Sequence, residues 1–221
     1  MKLRYSVFTI LLSLTMFACS QALGQGTDEV DNSKRPAGTE IATFAGGCFW
    51  CTEAVFERVI GVKDVFSGYT GGPQEHPTYR QVSYGDTDHA EGIQIYYDPK
   101  LVTYKELVEI FFATHDPTQL NRQGPDRGRQ YRSAVYYHNA EQKKIVADHM
   151  TKLTKSGKYS KDIVTELTAY DKFWVAEKYH QNYYELNPGN GYVINVAVPK
   201  VKKFKKYFPE KLKPEYGGGG H

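Results

Sequence analysis

IATFAGGCFWCTEAVFERVI, residues 41–60, decides the fold. Residues 41–45 read as a strand, and Gly46-Gly47 as a tight turn. From Cys48 to Ile60 apolar residues recur at helical spacing (Phe49, Trp50, Val55, Phe56, Val59) until Gly61 stops them. Downstream, residues 62–69 alternate as a strand and run into the breaker Thr70-Gly71-Gly72-Pro73. Residues 92–97, GIQIYY, alternate again and end at Asp98-Pro99. Thr103, with Glu106 three residues on, forms a capping box for a helix through Ala113, and residues 133–137 supply the next strand. The order strand, helix, strand, strand, helix, strand is the split βαβ arrangement of ferredoxin-like folds. The expected fold class is therefore α+β, a two-layer sandwich with helices on one face of a mainly antiparallel sheet. Beyond the core the pattern predicts a helix over 140–155, a strand over 162–167 and a helical stretch over 175–185. Residues 71–88 and 115–131 are long segments mixing Gly and Pro with Tyr, Arg, Asp and His, and loops of that kind in a compact domain are usually functional.

Upstream of the domain the sequence changes character. Lys2 and Arg4 precede an apolar stretch from Tyr5 to Ala18, too short to span a bilayer and suited to a signal-peptide core. Ala18-Cys19 at its end resembles a bacterial lipoprotein cleavage site, at which Cys19 would be lipidated, although Met16 stands where Leu is usual. The alternative is an ordinary signal peptide cut near Ala22 or Gly24. The expected location is the cell envelope or periplasm, as a membrane-anchored lipoprotein or, on the alternative, as a secreted soluble protein. Residues 20–40 are polar and read as a flexible linker, the domain as 41–213, and 214–221, with four glycines and His221, as a disordered tail. The seven lysines between Lys200 and Lys213 read as a solvated face. Across 221 residues the net charge is only +3, too small to argue for nucleic acid, and the 18 tyrosines exceed what a core alone would take.

The chemistry begins at Gly46-Gly47-Cys48-Phe49-Trp50-Cys51. A cysteine just after a glycine turn sits at the positive end of a helix dipole, which favours thiolate over thiol. Cys51, three residues on, shares its face, so a disulfide between the two is feasible. A buried structural pair has the same spacing. Zinc is not expected, because the domain holds no second cysteine pair and no fitting histidine spacing. On its own, C-x-x-C indicates redox chemistry only in general.

The surrounding segments narrow it. GGCFWC at 46–51, GYTGG at 68–72, HPTYRQV at 76–82 and GDTDHAEG at 85–92 resemble the A-type peptide methionine sulfoxide reductases. The resemblance continues through HDPTQLNRQG at 115–124, QYRSAVYY at 130–137 and AEKYHQNYYELNP at 176–188. It implies reduction of the S epimer of methionine sulfoxide, free or in proteins, as a protein-repair activity. Cys48 matches the family's nucleophile, which becomes a sulfenic acid, and Glu91 its proton donor. Tyr79 and Tyr131 match the tyrosines that hold the sulfoxide oxygen, and Asp126 an aspartate that organises them. Pro125 and Arg129 stand where the family usually has Asn and Thr. Phe49 and Trp50 match the aromatics that receive the methyl group. Many relatives carry resolving cysteines near the C-terminus, but no cysteine follows Cys51 here, so Cys51 is the one candidate within the domain. The resemblance implies a thioredoxin or other dithiol as external reductant and oxidised proteins or free methionine sulfoxide as substrates; a monomer with no bound cofactor or metal is expected. A thioredoxin-like thiol–disulfide oxidoreductase is the rival reading, but those proteins place Trp before the first Cys rather than between the two. A second rival, a binding domain that has lost its activity, is opposed by Cys48, Glu91, Tyr79 and Tyr131 standing together.

Overall fold

The structure, a computed structural model, describes residues 27–217. The signal-peptide reading, Cys19 and residues 218–221 lie outside the described residues. In chain order the elements are β1 (Glu40–Gly46), α1 (Phe49–Glu57), β2 (Val62–Thr70), α2 (Tyr79–Tyr84), β3 (Ala90–Tyr97), α3 (Tyr104–Thr114), a small hairpin of β4 (Arg122–Gln123) and β5 (Asp126–Arg127), β6 (Ser133–Tyr137), α4 (Ala140–Lys155), β7 (Glu166–Ala169), β8 (Phe173–Val175), α5 (Tyr183–Leu186) and α6 (Val198–Tyr207).

The sheet runs β7-β6-β1-β3-β2-β8. β3 lies antiparallel between β1 and β2, with Phe44 opposite Ile93 and Tyr69 opposite Glu91. The α1 crossover therefore joins two strands split by a third, and the expected α+β core is present. β6 pairs antiparallel with β1, and the added β7 runs parallel to β6. Side chains alternate along β3. Ile93, Ile95 and Tyr97 point into the main core, with Phe44, Phe56 and Phe111, whereas Ala90 points to the other face, among Ala45, Ala134 and Tyr136. Glu91 shares parity with Ile93, so a carboxyl enters the apolar side of the sheet.

α1 is enclosed almost all round; Phe49, Cys51, Thr52, Glu53, Ala54, Val55 and Phe56 are all buried. β2 and β3 lie on one side of it and α6 on another. Phe44 stacks on Phe111 at 4.9 Å and lies 5.5 Å from Phe56, which ties β1, α1 and α3 into one cluster. α3 begins as expected, at a Thr103–Glu106 capping box.

Four expectations need correction. The 71–88 segment contains α2, opened by a Thr78–Gln81 capping box, rather than loop throughout. The 162–167 strand is β7, shifted to 166–169, where it meets β6. No helix spans 175–185. Gln181 is extended there and Asn182 is left-handed at φ 55°, so the chain makes a short turn at Lys178–His180 and then α5. Finally, the supposed linker and tail are docked where they are described. The Val30 N–H bonds Phe173 O at 2.9 Å and the Val175 N–H bonds Asp28 O at 2.9 Å, which adds the N-terminal segment along β8. At the other end, the Lys213 N–H bonds Arg58 O at 2.9 Å, and the Arg58 guanidinium lies 4.5 Å above the Tyr216 ring.

Candidate active site

The site is built around the first turn of α1. Gly47 has φ +90°, and a Cβ there would lie 2.5 Å from the Gln123 side chain, so only glycine lets β1 turn into the helix under that loop. Cys48 is the N-cap residue and has no side-chain capping bond. Instead, the Phe49 N–H donates to Glu91 Oε2 at 3.1 Å, so a carboxyl from β3 occupies the helix N-terminus. That contact fixes Glu91 beside Cys48. The two groups are 1% and 6% exposed.

Around them stands an aromatic wall. Phe49 lies 5.8 Å from Tyr69 and 5.1 Å from His180. Trp50 stacks on Tyr183 at 3.7 Å, nearly parallel, and its indole N–H donates to His180 Nδ1 at 3.1 Å. Tyr79 packs on His180 at 4.3 Å, and its backbone N–H donates to Glu177 Oε1. The other Glu177 oxygen accepts the Tyr69 hydroxyl at 2.8 Å, so one carboxylate holds both tyrosines in place. Burial depresses His180 to about 4, so the ring is neutral and its Nδ1 free to accept.

On the opposite side the β4–β5 hairpin turns at Gly124-Pro125 and presents Asp126, whose Oδ2 accepts the Tyr192 hydroxyl at 2.6 Å. Pro125 sits in that turn, compatible with the geometry. Tyr192 also faces the Cys51 sulfur at 3.9 Å. Tyr131 ends the short Arg129–Tyr131 turn after β5, which packs on β3, the strand that carries Glu91. The structure thus brings Cys48, Cys51, Phe49, Trp50, Tyr79, Glu91, Asp126 and Tyr131 to one site. His180, Glu177, Tyr183 and Tyr192 belong to it too, although the sequence pattern alone gives them no role. AEKYHQNYYELNP was the one signal that could have pointed to the first three. Tyr192 follows a Gly-Asn-Gly breaker with no pattern of its own. Lys200 turns inward, against the expectation that all seven lysines form a solvated face. Its Nζ is buried beside Cys51.

The electrostatics follow from burial. Glu91 is pushed up to about 8, first by desolvation and then by Asp126 and Cys51, so at neutral pH it carries its proton. Tyr79 rises to about 12 by desolvation and the nearby Glu91, and Tyr131 is raised for the same two reasons, so both remain hydrogen-bond donors. For the two cysteines the helix-dipole expectation needs correction. Burial, Cys51 and Glu91 raise the Cys48 thiol. Cys51 is instead lowered to about 7 by Cys48, with help from Lys200 and Tyr192. Of the two sulfurs, Cys51 is the one that gives up its proton more readily. Both cysteines are free thiols. Among the described residues no group of three or more His, Cys, Asp or Glu could hold a metal ion.

Two buried thiols, a protonated carboxyl and two neutral phenols against an aromatic wall define a class. This is a cysteine-based reductase built to draw an oxygen off an apolar sulfur compound and protonate it. Comparison with known proteins agrees. The family model for peptide methionine sulfoxide reductase matches residues 40–212, and the chain belongs to that family. It is 52% identical over 185 residues to peptide methionine sulfoxide reductase MsrA 1 of Rhodopirellula baltica, covering 84% of this chain and 95% of that one. To the MsrA of Sulfolobus acidocaldarius it is 54% identical over 172 residues, covering 78% and 97%. Among solved structures, the reduced form of Mxr1 from Saccharomyces cerevisiae is similar at 38% identity and a TM-score of 0.62, covering 70% of this chain and 89% of that one. Methionine sulfoxide reductase A of Corynebacterium diphtheriae matches at the same identity and TM-score, covering 70% and 78%.

Proposed function

We propose that this protein reduces the S epimer of methionine sulfoxide, free and in proteins, to methionine, repairing oxidised proteins. The observation that carries the mechanism is the Glu91 carboxyl, buried, protonated and held at the N-terminus of α1 beside Cys48. Phe49 and Trp50 receive the methyl group, since sulfur and its substituents pack well on aromatic rings. The hydroxyls of Tyr79 and Tyr131 and the Glu91 proton meet the sulfoxide oxygen. The Cys48 sulfur attacks the sulfoxide sulfur, and the oxygen ends on Cys48 as a sulfenic acid while methionine leaves. The balance is thiol plus sulfoxide giving sulfenic acid plus thioether. The proton that the thiol loses is returned through Glu91. Asp126 fixes Tyr192, and through it the Cys51 side of the site. Cys51 then attacks the Cys48 sulfenic sulfur, releasing water and leaving a disulfide, which a thioredoxin-like dithiol reduces.

Lys2, Arg4, the apolar stretch and Ala18-Cys19 at its end support a location in the cell envelope, with Cys19 as the residue that would carry a lipid, or else secretion as a soluble protein. The catalytic reading is tested by supplying both sulfur epimers of free methionine sulfoxide with a dithiol and following them by chiral chromatography. Consumption of the S epimer alone is expected. Equal consumption of both, or of neither, refutes it.

A further inference from the structure

The mechanism above leaves unused a buried ammonium that, unlike the guanidiniums of Arg58 and Arg132, has no carboxylate partner among the described residues. Lys200 is the third residue of α6, two turns past Tyr192, and α6 packs on α1. Its ammonium nitrogen is buried and has no hydrogen-bond partner among the described residues. It closes a pocket whose other walls are Gly46, Cys51, Thr52, Val55, Phe111, Thr114 and His115, with about 10 Å³ of free volume. That is at the limit for a single water, so solvent does not surround the ammonium on this side, while the lysine stem borders an open groove on the other.

An unpaired ammonium in such a place is costly unless a negative charge answers it. The groups that face it are few: on the outer side Lys158 and Lys203 are themselves cations, and Asp116 accepts Thr118 with Oδ1 and Gln119 with Oδ2. His115 is neutral, depressed to about 4 by burial, and both of its ring nitrogens are engaged, one with Phe111 O at 2.6 Å and the other with Ser133 Oγ at 2.7 Å. Cys48 and Glu91 are protonated at neutral pH for the reasons given above. Asp126 feels Lys200 but directs its Oδ2 to the Tyr192 hydroxyl. What remains in the pocket wall is the Cys51 sulfur, itself fully buried.

We infer that Lys200 is the positioning residue for recycling: its ammonium holds Cys51 as the thiolate that closes onto the Cys48 sulfenic acid. The inference rests on the reading of Cys51 as the resolving thiol. In the step itself the Cys51 thiolate forms a bond to the Cys48 sulfur. The Cys48 S–O bond breaks, and the departing hydroxide takes the Glu91 proton and leaves as water. Cys51 is oxidised, and the Cys48 sulfur is reduced to the same disulfide. Oxygen transfer from the substrate to Cys48 makes no demand on Lys200, so the two steps separate.

The test uses the full chain, with Lys200→Met and Lys200→Arg beside the unaltered protein. Each is mixed with one equivalent of methionine S-sulfoxide, quenched rapidly and read by intact mass and thiol alkylation. This gives one rate for methionine release and another for Cys48–Cys51 closure. Loss of a neighbouring cation raises the thiol by about one unit or more. The thiolate fraction then falls about tenfold at about pH 6, of which the greater nucleophilicity of the more basic thiolate returns about threefold. Closure in Lys200→Met is therefore expected to be about threefold slower at that pH, and to overtake the unaltered protein at alkaline pH. Methionine release should change by less than about twofold, and Lys200→Arg should restore the closure profile. A purely structural role would slow both steps together and leave the pH midpoint in place, which overturns the inference. So does a Lys200→Met closure profile that matches the unaltered one. If the unaltered protein builds up a lasting sulfenic acid and no disulfide, the resolving role of Cys51 itself fails, and the inference falls with it.

Discussion

Replacing Glu91 by Gln removes one proton and keeps nearly everything else. The Gln side-chain carbonyl still accepts the Phe49 N–H that Glu91 Oε2 takes at 3.1 Å, so the start of α1 stays capped. The size of the effect follows from burial. A carboxyl at its ordinary value of 4.5 would be protonated in only about 0.3% of molecules at pH 7, whereas one pushed up to about 8 is protonated in about 90%. Enclosure thus raises the population of competent donor about 300-fold. Loss of one acid–base contribution costs roughly 10²–10⁴ in rate, about 3–5 kcal/mol of barrier. Single-turnover methionine release, followed by rapid quench across pH, reads this directly. The unaltered protein should lose rate as pH rises through about 8, because the donor becomes a carboxylate. The Gln variant should be slower by the stated factor and flat over the same range. A variant within about tenfold of the unaltered rate, or one that keeps the same alkaline fall, would refute the assignment of the proton to Glu91.

The other predictions concern recycling, stability and location. Cys51→Ser should release the first methionine but lose turnover with a protein dithiol, and a small thiol at high concentration should restore it. Unchanged dithiol turnover would mean that external thiols attack Cys48 directly. Glu53 is wholly buried on α1 and raised to about 8 by desolvation and then by Glu57, so its carboxyl is neutral in the fold, while the unfolded chain ionises it near 4.5. Its folded value lies above the unfolded one, so stability is lost between those two pH values, and the loss is complete above about 8, on the order of a few kcal/mol. Glu53→Gln should flatten that part of the denaturation profile, and an unchanged slope would contradict it. Cys19→Ser should move the protein from the membrane to the soluble fraction, and unchanged fractionation would argue against lipidation.

The elements legible in the sequence are those whose apolar residues recur at a regular spacing. β1, β3 and α3 carry alternating or helical apolar patterns and, at Thr103–Glu106, a cap. α4 was legible to the residue because Asn139 caps it and Val146 marks its buried side. α2 buries only Val82 in its six residues, so its capping box stood without a pattern to confirm it. The apolar spacing over 175–185 was real but was not a helix. Those residues pack around the site on an irregular chain. It is held by Gln181, whose side chain bonds both backbone groups of Ser67 and the carbonyl of Ala176. α6 was hidden by its lysines, since only Val201 and Phe204 are buried and the apolar stripe is narrow. The site divides the same way. Cys48 and Glu91 sit on regular elements within a recognisable motif. Tyr192 and Lys200 reach it from the far end of the chain, and only the packing of α6 on α1 shows that they meet Cys51. At Cys48 the helix N-terminus, which favours the thiolate, is opposed by burial and by the neighbouring Cys51 and Glu91, none of which a sequence pattern displays.

The central claim is that Cys48 takes the oxygen from the sulfoxide. It is tested most directly by mixing the chain with excess methionine S-sulfoxide and no reductant, then counting methionine and titrating thiols. The account predicts about one methionine per chain and then arrest, with both domain thiols lost together as a disulfide. Cys48→Ser should yield none. Methionine formed by Cys48→Ser, or continued turnover without a reductant, would contradict it.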